Sequence, residues 1–158
     1  DLPYSSSECL SHIPSTLAAL RKNPNYNMSR MNRYYYIECI DNYTEDSRIK
    51  AENINGDILL IAPGFDDTWP SEMASRRIMK VLEDKGFPHR HECAVYENGS
   101  HALAFDQRCD TEEEKKALDK MNKVMGYILP TEKKNPAACA KARQESYFKM
   151  VEFLKEWQ

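Results

Sequence analysis

Two acids and a histidine stand where a proton-transfer pair would be built. Asp66 and Asp67 follow closely on the apolar run Ile58-Leu59-Leu60-Ile61-Ala62, and His101 follows a second strand-like run after Asn98-Gly99-Ser100. In an open α/β sheet, functional groups gather at the carboxyl ends of strands. A carboxylate that accepts the Nδ1–H of an imidazole fixes its tautomer and stabilises the imidazolium. The imidazole then serves as base toward a hydroxyl or thiol and as acid toward the leaving group. Asp67 and His101 are the expected pair, with room for one helix and one strand between them. Asp66 is the runner-up acid, its ordinary role being to cap the loop or meet the helix start. From the residues alone the alternatives stay open, because an Asp after a strand is often a helix cap and a lone loop His is usually inert. His12, His89 and His91 receive no role, since no third ligand stands at metal spacing.

The elements that must position the pair read as strand, helix, strand, helix, helix. Ile58 to Ala62 is apolar throughout, as in a parallel strand covered on both faces. Pro70 and Ser71 open the next helix, with Ser71 as N-cap and Glu72 in the first turn. Ala74, Ile78, Val81 and Leu82 form its apolar stripe, and Gly86 is its left-handed stop. Arg90 to Tyr96 is the second strand. Thr111-Glu112-Glu113-Glu114 is a capping-box pattern. It opens a helix carrying Leu118, Met121 and Met125, expected to stop at Gly126. A loop over 127–134 follows, then a last helix from Asn135-Pro136 with Ala140, Tyr147, Val151 and Leu154 inward. Upstream, the spacing of Met31, Tyr35 and Cys39 predicts a helix from Ser29 to Tyr43, and Ser15 to Lys22 fits two helical turns.

At 158 residues the chain is long enough for one domain. It divides into a lid or connecting part, 1–56, and the Asp- and His-bearing strands and helices of 57–158. Two strong strands are few for a parallel sheet. The expected class is therefore α/β, the C-terminal portion of a doubly wound domain with parallel strands and flanking helices. Lys and Arg number 22 against 25 Asp and Glu, a net charge of −3, which is too near neutral for a nucleic-acid or membrane-surface partner. No apolar run approaches the roughly 20 residues of a membrane span. The first residues carry neither a basic nor an apolar leader region, and position 1 is not Met, so the chain is expected to be processed, renumbered or cut from something longer. Five cysteines without a C-x-x-C pair imply reduced thiols, no metal, and a cytoplasmic location. Sequons at Asn27, Asn42 and Asn98 are expected by chance.

A resemblance adds to this. The stretch Ile54-Asn55-Gly56-Asp57-Ile58-Leu59-Leu60-Ile61, followed by Gly64-Phe65-Asp66-Asp67-Thr68-Trp69-Pro70-Ser71-Glu72-Met73, resembles the C-terminal catalytic domain of the acyl-CoA thioester hydrolase / bile-acid-CoA:amino acid N-acyltransferase family. The likeness continues through Tyr96-Glu97-Asn98-Gly99-Ser100-His101 and the tail from Asn135-Pro136-Ala137-Ala138 to Ser146-Tyr147-Phe148. Leu2-Pro3-Tyr4 resembles the segment soon after the family's nucleophile turn. The resemblance implies an alpha/beta-hydrolase fold with a Ser/Cys-His-Asp triad acting on acyl-CoA or another acyl ester or thioester. It maps the triad acid to Asp67 and the base to His101, and needs no cofactor. Trp69 matches an aromatic that either walls the acyl pocket or packs. The family's G-x-[SC]-x-G nucleophile turn has no match in the chain, so the nucleophile is expected upstream. Pro63 and Phe65 also depart from the family's small or polar choices. Alternatives are a carboxylesterase, dienelactone-hydrolase or peptidase relative, or an inert fragment that acts by association with a missing N-terminal part or with itself.

Overall fold

The computed structural model describes residues 28–41 and 44–156. The expected Ser15–Lys22 helix, Leu2-Pro3-Tyr4 and the end of the helix expected to reach Tyr43 lie outside them. In chain order the elements are α1 (Met28–Asp41), β1 (Ile58–Pro63), α2 (Ser71–Asp84), β2 (His91–Tyr96), α3 (Glu112–Ile128), α4 (Pro130–Lys134) and α5 (Pro136–Lys155), with short 3-10 turns at Glu45–Ser47 and Ala51–Asn53.

β1 and β2 pair in parallel, Ile58 opposite His91 and Pro63 opposite Tyr96. Side chains alternate along each strand, so the two faces take different covers. Ile58 and Leu60 pack toward α2 in a core with Ala51, Ile78, Met79, Leu82 and Phe87. Glu92, on the other face, pairs with Lys149 of α5 at 2.5 Å. Helices therefore cover both faces, as the unbroken apolar run of β1 predicted. The described residues are mixed α/β, with parallel strands and flanking helices, as the expected class requires.

α2 ends as its sequence predicts. Gly86 takes φ +63. The N–H groups of Gly86 and Phe87 close back on the carbonyls of Glu83 and Leu82 at 3.1 and 2.9 Å, and Phe87 packs on Leu82. This is the paired closure of a Schellman motif with its apolar contact. Burying a leucine the size of Leu82 contributes roughly 1.5–3 kcal/mol.

Three expectations are corrected. Ser71 is the first residue of α2 and not its N-cap, which is Pro70, because its hydroxyl is drawn to Asp66 instead. Gly126 does not stop α3, which runs to Ile128; a glycine ends a helix only where the chain turns left-handed, and Gly126 has no positive φ. The expected loop over 127–134 is the end of α3 and the short helix α4. The Thr111 capping box is present on both sides. The inward face of α5 is Cys139, Ala142, Arg143, Ser146 and Phe153, while Leu154 is exposed.

Candidate active site

Both strands end at the same rim, and their loops meet on one carbonyl. The oxygen of Tyr96 accepts from Gly64 N–H and from Gly99 N–H, each at 2.8 Å. The loops are too close for side chains at these glycines. A Cβ on Gly64 would stand 2.7 Å from Glu97 Cα, and one on Gly99 would stand 3.0 Å from the Tyr96 oxygen.

From these loops Asp66 and His101 come together. His101 Nδ1 lies 3.0 Å from Asp66 Oδ1 and 3.2 Å from Oδ2. The Asp66 side chain is almost fully buried, whereas that of His101 is 42% exposed. An ionised carboxylate only accepts, so Nδ1 carries the proton and Nε2 is left with a lone pair.

The expected contact between Asp67 and His101 is corrected by this geometry. Asp66 is turned inward by the Thr68 and Trp69 N–H groups, at 2.8 and 3.2 Å from Oδ1. The Ser71 hydroxyl donates to Oδ2 at 2.9 Å. Its neighbour then points the other way, and Asp67 Oδ2 accepts from the Thr131 N–H of α4 at 2.7 Å. Asp66 thus has the helix-start contacts expected of it and the imidazole as well.

Residues that the sequence did not flag hold this arrangement. Arg33 of α1 donates to the carbonyls of Asp66 and Trp69 at 3.0 and 3.1 Å and pairs with Glu72 at 2.6 Å. Trp69 packs edge-on against Tyr36, centroids 6.0 Å apart, which is the packing role expected as one of its two alternatives. Under the His101 loop, Glu132 of α4 and Arg143 of α5 form an almost fully buried ion pair, and the Ser100 hydroxyl donates to the same Glu132 carboxylate. Arg143 also donates to Asn122 at 2.9 Å. Neither Glu132 nor Arg143 carried a sequence signal, since a charged side chain on a helix reads as solvated surface.

The electrostatics follow from the contacts. Burial pushes the Asp66 carboxyl up, but the hydrogen bonds from His101, Thr68 and Ser71, with the His101 charge, outweigh it and hold it below the usual carboxylate range. The Asp66 hydrogen bond raises His101 above the ordinary histidine value, with burial opposing. A lowered carboxyl stabilises the fold above its unfolded value and loses that as pH falls through the folded one. A raised imidazole stabilises below its unfolded value and loses that as pH rises through the folded one. The pair therefore contributes most between roughly pH 4 and 6.5, weakened by the solvent around His101.

A cleft of about 280 Å3 opens on the side to which Asp67 turns, lined by Phe65, Asp67, Glu97, Thr131 and Lys134 among others and by neither Asp66 nor His101. A larger one, about 370 Å3 and mostly apolar, lies between Ile40, Ile49, Ile78 and Val81 and holds neither member of the pair. Among the described residues no three His, Cys, Asp or Glu side chains gather to hold a metal. No helix among them is long and apolar enough to cross a membrane.

The family model described as BAAT / Acyl-CoA thioester hydrolase C terminal matches residues 4–157. The chain belongs to that family. Comparison with curated proteins and with solved structures found no match. The family points to enzymes of the hydrolase and acyltransferase kind in general.

Proposed function

We propose that this chain supplies the acid and base of an acyl-thioester hydrolase, acyl-CoA being the substrate. The supporting observation is the Nδ1 contact of His101 with Asp66 at the ends of adjacent parallel strands, in a chain of this family. His101 Nε2 takes the proton of a Ser or Cys supplied upstream of residue 1, in the order nucleophile, acid, His. That oxygen or sulfur attacks the thioester carbonyl, and backbone N–H groups hold the oxyanion. Collapse expels the CoA thiolate, which leaves with the proton from Nε2. Water then gives a proton to Nε2 and attacks the acyl-enzyme, releasing the acid and the free nucleophile. Asp66 holds the imidazole in the working tautomer throughout. The sequence assignment of the acid to Asp67 gives way to Asp66 on the contact each makes. The thiols of Cys93, Cys109 and Cys139, unpaired among the described residues, suit the reducing cytoplasm.

The test is a pH profile on a substrate panel, in the enzyme carrying its nucleophile. Only neutral His101 is a base, and Asp66 keeps it protonated to higher pH than an ordinary histidine. Activity (kcat/KM) on acyl-CoA should therefore rise with pH along a single limb centred above the ordinary histidine value. Oxygen-ester and peptide analogues should turn over far more slowly. A flat profile between about pH 5 and 8, or preference for the ester or peptide, overturns the assignment.

A further inference from the structure

One short helix holds the residue next to each member of the pair. Thr131 of α4 donates its N–H to Asp67, the neighbour of Asp66. Glu132, the next residue, accepts from the hydroxyl of Ser100, the neighbour of His101. Ser100 and Glu132 are both buried, and Glu132 is fixed in turn by Arg143. The loop beyond His101 is tied down as well. Ala104 takes φ +59, a left-handed conformation that L-residues disfavour. It donates its N–H to Ser146 Oγ at 2.8 Å, and Ser146 donates to the Arg143 carbonyl at 3.0 Å. A buried charge is expensive to keep inside a fold, and removing one partner of such a pair strands the other. Here the carboxylate sits where it fixes the backbone that carries the imidazole.

We propose that Glu132, acting through Ser100, is a positioning residue for His101, and that α4 sets the separation of Asp66 and His101. As a catalytic role this rests on His101 being the base of the proposed function, but the geometry is testable without turnover. A displacement of about 1 Å of a reacting group can cost 100-fold in rate, so a rigid seat for the His101 loop has a purpose that stability alone would not require.

The experiment is NMR titration of the His101 imidazole in this chain, assigned by loss of its signals in His101→Gln. Among the described residues, Asp66 is the ionisable group bonded to that ring, so the titration midpoint reports their contact. Ser100→Ala removes the link to Glu132, together with the Ala102 N–H bond to Ser100 Oγ at 3.4 Å, and leaves the Glu132–Arg143 pair intact. Its His101 midpoint should shift down from the wild-type value, toward that of Asp66→Asn. Glu132→Ala should shift it the same way, and the double variant no further than the larger single shift. A folded Ser100→Ala chain whose His101 titrates as in the wild type overturns the proposal, even if its melting temperature falls. Should Glu132→Ala fail to fold, Ser100→Ala decides alone. Because no activity is read, this result stands or falls apart from the hydrolase assignment.

Discussion

His101→Ala and Asp66→Asn should each lower thioester turnover by about 10,000-fold or more in the enzyme carrying its nucleophile, while Asp67→Asn should cost less than about tenfold. The two acids are neighbours in sequence, but they contact different partners. Asp66 accepts from His101 Nδ1. An Asn there still accepts from Thr68 and Ser71, but it carries no charge to favour the imidazolium and no longer requires a proton on Nδ1. Asp67 accepts one backbone N–H, from Thr131, and an Asn amide oxygen can do the same. The pH profile separates the acids independently. With Asp66 neutralised, His101 loses its main upward influence, so its limb of kcat/KM should move to lower pH. With Asp67 neutralised the limb should stay. The reverse pattern, with Asp67→Asn inactive and Asp66→Asn active, would return the acid role to Asp67.

Arg143→Ala should destabilise the chain by about 3–5 kcal/mol, read as a lowered midpoint of urea unfolding with little change in slope. Its guanidinium is almost fully buried and meets Glu132, Asn122 and Gln107. Truncation leaves the Glu132 charge inside the protein with the Ser100 hydroxyl as its remaining side-chain donor. A control distinguishes loss of the pair from loss of one partner. The double replacement Arg143→Met with Glu132→Leu removes both charges and keeps most of the volume. It should recover much of the loss, as buried pairs exchanged for apolar side chains often do. Equal destabilisation by the single and double variants would show that packing, not the stranded charge, sets the cost.

Much of the frame was legible because it rests on local rules. The unbroken apolar run of β1 predicted a doubly covered parallel strand, Gly86 predicted the end of α2, and Thr111 with Glu114 predicted the start of α3. The loop assigned to 127–134 failed because Gly126 looked like a stop; Pro130 opens α4, where a missing N–H costs nothing. The imidazole contact expected of Asp67 was misplaced for a different reason. Position in sequence brings both Asp66 and Asp67 to the rim, but which carboxylate turns inward depends on Ser71, Arg33 and the Thr131 amide, drawn from three separate helices. Glu132 and Arg143 were invisible for the same reason, since nothing local marks a charge that will be buried.

The oxygen of Tyr96 receives one N–H from each rim loop, filling both of its lone pairs. The acid and the base therefore hang from a common hinge pin, and neither rim can swing out while the other stays in place. Deuterium uptake at the Gly64 and Gly99 amides should then share one opening free energy, and strain introduced beside Asp66 should be felt at the imidazole with no side chain to carry it.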